Sequence, residues 1–114
     1  MTVSEQDSDY HAHETQRYAP QEDQVIFERT AQLFKAIADA ERLKLLTILY
    51  RGEACVSELA TQSQMSTVSQ RLKILKNENL VKTRREGKHI IYSLYDDHVF
   101  ELIDNALQHV KEKH

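Results

Sequence analysis

Apolar residues recur at helical spacing in five parts of the chain, and a long polar stretch precedes them. Residues 1–24 contain the only proline and show no sustained apolar period, so they predict a flexible arm outside any core. From Val25 onward the i, i+3, i+4 spacing of aliphatic side chains predicts successive helices. The expected organisation is therefore an arm over residues 1–24 and one folded domain over residues 25–114.

Three helices are predicted in the first half of the folded domain. Asp39 can cap the second helix, and Gly52 interrupts the pattern after it. The segment from Cys55 to Gln62 then resumes the helical period and predicts a short third helix. The apolar residues that carry the helical spacing of the first two helices are Ile26, Leu33, Phe34, Ile37, Leu43, Leu46 and Leu49.

A polar interval separates the third helix from a fourth, as in a helix-turn-helix. Ser66 is a suitable N-cap for this fourth helix. Its inner face is expected to consist of Val68, Leu72 and Leu75, which leaves Thr67, Gln70 and Arg71 facing outward.

After Leu80 the apolar period changes to two, which predicts a β-hairpin with Gly87 at its tip. A last helix is expected to open at Asp96 and Asp97 and to run to about Lys111. The fold class is therefore mainly α with one β-hairpin. The apolar stripe of the last helix consists of Val99, Ile103, Ala106 and Val110.

Composition narrows the range of functions. The 114 residues suit one domain, and the apolar runs are too short to span a membrane, so we expect a soluble, cytoplasmic protein without a membrane partner. Two glycines cannot form a glycine-rich phosphate loop, and no nucleophile motif is present, so we expect neither an enzyme nor a small-molecule substrate. Cys55 is the only cysteine, which excludes an intrachain disulfide.

The net charge of −3 hides a basic segment. Residues 71–89 carry seven basic and two acidic side chains, whereas the rest of the chain carries eight basic and sixteen acidic ones. Such a basic stripe on an acidic body is typical of a protein that meets nucleic-acid phosphate with one face. An ordinary solvated charged surface is the alternative that this feature alone leaves open.

Two histidines on the last helix are spaced for one face of that helix. His98 and His109 lie eleven residues apart, which is close to three full turns. Their axial separation of about 16 Å is too large for one metal ion within one chain. An antiparallel pairing of this helix with its copy would bring His98 to His109 of the partner subunit. A plain surface or interface pair of histidines remains the alternative.

Four stretches resemble the ArsR/SmtB family of winged-helix metal-sensing repressors, over about residues 27–112. They are Phe34–Arg42 (FKAIADAER), Glu53–Ala60 (EACVSELA), Val68–Leu75 (VSQRLKIL) and Arg85–Leu94 (REGKHIIYSL). The resemblance implies a homodimeric winged helix-turn-helix protein. It also implies that the first and last helices form the dimer interface and that the fourth helix enters the major groove of operator DNA.

The resemblance further implies a metal site on the last helix, because Asp96, His98, His109 and Glu112 match the family's site position by position. Mixed nitrogen and oxygen ligands suit Zn²⁺, with Co²⁺, Ni²⁺ and Cd²⁺ as alternatives. A second site is implied by the match of Cys55 and Glu58, which the arm residues His11 and His13 would complete. A small buried cysteine and a solvated arm are the alternative.

DNA contacts are expected from the fourth helix and from the hairpin, which together present hydrogen-bonding and positively charged side chains. Two features depart from the family pattern: the link between Ala60 and Val68 is about two residues shorter, and Gln70 stands where many members have histidine. The expected DNA-binding residues are Ser66, Thr67, Ser69, Gln70, Arg71, Lys73, Arg84, Arg85, Lys88 and His89.

The function predicted from these features is a metal-responsive transcriptional repressor. It would bind double-stranded operator DNA when metal-free and dissociate when zinc binds, which would derepress efflux or storage genes. One alternative is a winged-helix regulator without metal input, such as a redox sensor that uses Cys55. Another is a dimeric metal buffer or interaction module that recognises no specific DNA.

Overall fold

The computed structural model describes residues 21–60 and 63–113 of the chain. Residues 21–32 belong to one compact unit and residues 33–113 to another. No helix among these residues is both long and apolar enough to cross a membrane. The elements are α1 (Gln21–Ile37), α2 (Ala40–Arg51), β1 (Ala54–Cys55), α3 (Val56–Leu59), α4 (Met65–Asn77), β2 (Val81–Glu86), β3 (His89–Leu94) and α5 (Asp97–Lys113).

This order confirms the predicted fold class, a mainly helical domain with one β-hairpin. The first helix begins at Gln21, four residues before the position where the apolar period starts. Residues 1–20, which make up most of the expected arm, lie outside the described residues.

Aliphatic side chains from α2, α4, the hairpin and α5 form the core of the second unit. The predicted inner face of α4 is confirmed, because Val68, Leu72 and Leu75 are at most 2% exposed. On α5 the apolar stripe divides: Val99 and Ile103 are buried, whereas Ala106 and Val110 are exposed. The first half of α5 therefore packs on its own protomer, and the second half presents apolar surface.

Asp39 caps α2 as predicted. Its Oδ2 accepts a hydrogen bond of 3.0 Å from the Arg42 N–H, and this bond is the main reason why the pKa of Asp39 is lowered. The Arg42 side chain in turn donates to the carbonyl oxygens of Ala36 and Lys35, at 2.6 and 3.2 Å. The corner between α1 and α2 is thus held by one aspartate and one arginine.

Ser66 does not cap α4. The helix begins at Met65, and Gln64 is its N-cap residue, with an extended backbone whose carbonyl accepts the Val68 N–H at 3.1 Å. No side chain of Gln64 completes the cap, so Ser66 lies inside the first turn instead of before it. The prediction failed because the backbone enters the helix two residues earlier than the polar pattern indicated.

The C-terminus of α4 leads directly into the hairpin. Asn79 has a positive φ of 56°, and the N–H groups of Asn79 and Leu80 donate to the carbonyl oxygens of Lys76 and Leu75, both at 3.0 Å. These are the paired bonds of a Schellman motif, in which asparagine tolerates the left-handed conformation. Leu75 and Leu80 are both fully buried, so the motif fixes the direction in which the chain leaves the helix.

The hairpin is part of a three-stranded antiparallel sheet of order β1-β3-β2. Gly87 takes a φ of +61° at the tip, which confirms the predicted turn position. The prediction for the third helix was wrong at its start, because Ala54 and Cys55 pair with Tyr92 and Ile91 as strand β1. Helix α3 is therefore limited to Val56–Leu59.

The packing of α4 predicts a large difference between two substitutions on that helix. Leu72→Ala removes a fully buried side chain and should lower the free energy of unfolding by about 2 to 5 kcal/mol. Ile74→Ala, on the partly exposed side, should lower it by about 1 kcal/mol or less. Urea denaturation of both variants measures this difference, and equal effects would contradict the orientation of α4.

Candidate nucleic-acid interface and metal half-site

The face of α4 opposite the core carries small polar side chains near its N-terminus. Hydroxyl, amide and ammonium groups of this kind suit the base edges and phosphates of a DNA major groove. Five of the six predicted residues on this helix are exposed: Ser66, Thr67, Ser69, Gln70 and Lys73.

Arg71, the sixth, does not face outward as predicted. It is half-buried and lines a shallow cleft beside Glu41 and Val68, between α4 and α2. Its charge also helps to lower the pKa of Asp39, after the larger effect of the Arg42 N–H. Position 71 is three residues after Val68 and therefore lies at the edge of the buried face, where its side chain turns toward the acidic start of α2.

The hairpin, which we call the wing (residues 81–94), presents Arg85, Lys88 and His89 to solvent. Arg84 differs from them because its guanidinium is held in ion pairs. Its guanidinium donates to both oxygens of Glu53, at 2.5 and 2.7 Å, and to Glu86 at 3.2 Å. The bonds from Arg84 lower the pKa of Glu53, and the two carboxylates raise the pKa of Arg84.

Asp96 serves as the cap of α5, although the sequence had suggested it only as a helix opener and metal ligand. Its Oδ1 accepts the Val99 N–H at 3.0 Å, and its backbone oxygen accepts the Phe100 N–H. The Val99 N–H is the main cause of its lowered pKa. Oδ2 lies 3.6 Å from Nδ1 of His98, whose side chain is 95% exposed. One nitrogen and one oxygen donor therefore stand together at the start of α5.

His109 and Glu112 lie on exposed positions near the other end of the helix. Within the described part of the protomer, no three His, Cys, Asp or Glu side chains come together as a metal site. The structure thus brings together Asp96 and His98 and leaves His109 and Glu112 apart from them, as the helical spacing requires.

Cys55 and Glu58 are close because Cys55 is the N-cap residue of α3 and Glu58 lies in its first turn. The Cys55 N–H donates to Oε1 of Glu58 at 2.8 Å, and this bond is the main cause of the lowered pKa of Glu58. Sγ of Cys55 also lies 3.1 Å from the Ser57 hydroxyl. The other two residues predicted for the second site, His11 and His13, lie outside the described residues.

Two interactions that shape these surfaces were missed from the sequence. Glu53 pairs with Arg84 across 31 positions, and the Tyr50 hydroxyl donates to Asp104 across 54, at 2.6 Å. Tyr50 also stacks on Phe100, with ring centroids 4.7 Å apart. No local pattern indicates such pairs. The spacing of two residues between Glu53 and Cys55 could only have suggested that both lie on one side of an extended segment.

A comparison with protein families finds one matching profile, described as "Bacterial regulatory protein, arsR family", over residues 39–83. The match covers α2, the helix-turn-helix and the start of the wing. Among curated relatives, a "Transcriptional repressor SmtB homolog" from Synechocystis sp. is 41% identical over 87 residues. The alignment spans 75% of this chain and 66% of that protein.

A "Cadmium resistance transcriptional regulatory protein CadC homolog" from Staphylococcus aureus is also 41% identical, over 72% of this chain and 70% of its own length. A solved structure from Mycobacterium bovis, described as a homodimeric winged helix-turn-helix DNA-binding domain, superposes with a TM-score of 0.79. It is 28% identical and is aligned over 85% of this chain and 92% of its own. The predictions of a winged helix-turn-helix fold and of a non-enzymatic regulator are confirmed.

Asp96 both caps α5 and places a negative charge beside His98. We predict that a substitution can remove the charge and keep the cap. Asparagine caps helices about as well as aspartate, so Asp96→Asn should keep a thermal midpoint close to that of the wild type. Asp96→Ala should lower the midpoint, because the Val99 N–H loses its acceptor. Circular dichroism melts at neutral pH measure both. Equal losses in the two variants would show that the cap bond is not what Asp96 contributes.

Proposed function

Since this chain belongs to the arsR family of bacterial regulatory proteins, we propose that it is a metal-responsive transcriptional repressor. In this proposal the metal-free homodimer binds operator DNA in the cytoplasm and releases it when zinc or a similar divalent ion binds. The regulated genes would encode metal efflux or storage. The resemblance to a cadmium resistance regulator supports the metal input.

The observation that carries the proposal is the pair of donors at the start of α5. Oδ2 of Asp96 is not used by the helix cap, and it stands 3.6 Å from Nδ1 of the exposed His98. His109 and Glu112 are exposed at the other end of the same helix. These donors fit Zn²⁺, which takes imidazole nitrogens and carboxylate oxygens in tetrahedral sites. When bound, the ion would cross-link one protomer's Asp96 and His98 to His109 and Glu112 of the partner subunit.

Homodimer formation is required, because neither pair of donors is a complete site. The second compact unit carries an apolar cleft between α2 and α5 that is lined by Leu43, Ile48 and Leu107. Phe34 and Val110, which are large apolar side chains, are also 51% and 54% exposed. We propose that a second copy of the chain covers this surface, as the homodimeric state of the Mycobacterium bovis structure supports.

DNA binding is assigned to α4 in the major groove and to the wing beside it. The exposed hydroxyl and amide groups of Thr67, Ser69 and Gln70 are available for base edges, and Lys73 for phosphate. On the wing, Arg85, Lys88 and His89 are exposed and can reach the backbone or the minor groove. Arg71 takes no direct part in this proposal because it packs toward α2.

Metal input and DNA binding would be coupled through the dimer geometry. If the metal-bound arrangement of the two protomers fits DNA poorly, linkage requires that DNA weakens metal binding by the same factor. In the protomer, α5 is tied to α2 by the bond from Tyr50 to Asp104 and by the stacking of Tyr50 on Phe100. A change in the angle between the two α5 helices would therefore carry the body of each protomer with it.

A second metal site at Cys55 and Glu58 forms part of the proposal only as an accessory. Both side chains are positioned at the start of α3, and Glu58 is anchored by the Cys55 N–H. His11 and His13 of the arm would complete this site.

Deletion of residues 1–20 should leave the zinc response intact if the α5 site is the sensor.

The decisive experiment is fluorescence anisotropy of the protein's own upstream DNA, with and without zinc. The wild type should lose roughly 5- to 150-fold in affinity when zinc is added, the usual range for allosteric coupling. His109→Ala should bind the DNA normally without zinc and should no longer respond to zinc, because the partner donor is lost.

The matched control is His89→Ala on the wing. This variant should weaken DNA binding slightly and keep the zinc response, since His89 belongs to the DNA-binding surface. Release of His109→Ala from DNA at the wild-type zinc concentration would refute the α5 site as the sensor. Absence of any DNA binding by the wild type would refute the repressor function itself.

If the second half of α5 forms part of the dimer interface, a charge introduced on its apolar surface should weaken the dimer. Val110→Asp should shift the protein from dimer to monomer, because a carboxylate would have to be buried against the partner. Gln108→Asp introduces the same charge about half a turn away on an exposed position and should leave the dimer intact. Sedimentation equilibrium at micromolar concentration gives the mass of each species. A wild-type monomer, or a dimeric Val110→Asp variant, would contradict the proposed interface.

A further inference from the structure

The Arg84 side chain connects strand β2 to Glu53, which directly precedes strand β1, although β1 and β2 are not hydrogen-bonded to each other. It lies on β2, opposite Ile91 of β3, and Ile91 in turn lies opposite Cys55 of β1. Glu53 immediately precedes β1, two residues before Cys55. The Arg84 side chain must therefore pass over β3 to reach Glu53.

Only a short strand, β1, pairs the backbone of the wing with the segment that precedes α3. Strand β1 has two residues, whereas β2 and β3 pair over six. A two-stranded hairpin is marginal by itself, so its outer half depends on contacts that it makes with other elements. The two bonds from Arg84 to Glu53 form such a contact, and a guanidinium held by both carboxylate oxygens has a fixed orientation.

The charge of Arg84 is already matched within the protein. Glu53 and Glu86 both accept hydrogen bonds from it, at distances up to 3.2 Å. Within the described part of the chain, Arg85 and Lys88 form no ion pair, and strand alternation places Arg85 on the face opposite Arg84. Arg85 and Lys88 are thus wing cations that can neutralise phosphate without first giving up a carboxylate.

We propose that Arg84 is a positioning residue of the wing and not a DNA contact, and that Glu53 is its anchor. The ion pair holds the wing at a fixed angle to β1, so that Arg85 and Lys88 reach the DNA backbone together with α4. This inference rests on the DNA-binding part of the proposed function and is independent of the metal site. It also assigns a function to Glu53, which the sequence had not indicated.

The inference makes a prediction whose sign is opposite to that of simple electrostatics. Glu53→Gln removes a negative charge close to a DNA-binding surface, so a purely electrostatic effect would raise the affinity for DNA. If Glu53 anchors the wing, the same substitution lowers the affinity. Exposed ion pairs contribute little each, so we expect a loss of roughly two- to fivefold.

The test is anisotropy on operator DNA over a series of salt concentrations, with metal-free protein. Glu53→Gln and Arg84→Gln should each lower the affinity by a similar factor, and the double variant should lose no more than either one. The slope of log affinity against log salt should stay at the wild-type value. The reversed pair, Glu53→Arg with Arg84→Glu, should recover most of the affinity.

The controls are Arg85→Gln and Lys88→Gln, which should each flatten the salt slope by about 0.9 for every protomer that contacts phosphate, or about 1.8 for the dimer. Circular dichroism melts confirm that every variant is folded before its affinity is compared. A flatter slope for Arg84→Gln together with a higher affinity for Glu53→Gln would overturn the inference, since Arg84 would then be a phosphate contact for which Glu53 competes. Unchanged affinity in both single variants, or no recovery by the reversed pair, would also overturn it. A wild type that binds no DNA would instead refute the proposed function.

Discussion

The burial of Leu72, Leu75 and Leu80 is the constraint on which the DNA-binding surface depends. The first two lie on the inner face of α4, and the third is held next to them by the Schellman motif at the end of that helix. Because Leu80 is followed at once by β2, one small core sets the direction of both α4 and the wing. Exposed side chains of α4 and of the wing are consequently oriented by the same core.

Helix α5 combines two environments along its length. Its first half is fixed to the protomer, since Val99 and Ile103 are buried and Phe100 stacks on Tyr50. Its second half exposes Val110 and the donors of His109 and Glu112. A continuous helix transmits rotation from one half to the other, because its backbone hydrogen bonds leave it few ways to bend. Any partner that binds the exposed half therefore acts on the orientation of the whole protomer.

The features that could be predicted from the sequence are those set by neighbours along the chain. The helical period located the inner face of α4, Asp39 indicated the cap of α2, and Gly87 marked the tip of the wing. These depend on spacing, on a side chain three residues from its acceptor, and on a residue that tolerates positive φ.

Apart from the start of α4, the features that failed depend on contacts between distant segments. Strand β1 has only two residues, too few for a period, and it exists because β3 offers it partners. Arg71 was expected to face solvent, yet it turns toward Asp39 and Glu41 of another helix. The ion-pair partner of Arg84, Glu53, lies 31 residues away and is not indicated by a count of basic residues on the wing. Charge along a sequence measures the potential for phosphate binding only after internal pairs are removed.

In the proposed metal site, the carboxylate of Asp96 would join the sensor to the fold by a single side chain. One oxygen holds the first turn of α5 through the Val99 N–H, and the other lies beside His98. A carboxylate is planar and its two oxygens cannot move independently, so a ligand held by the second oxygen is oriented relative to the helix axis by the first. The cap thereby reduces the conformational freedom that binding would otherwise have to remove. Rigid attachment of this kind is what a metal site between two protomers requires if it is to select one dimer geometry over another.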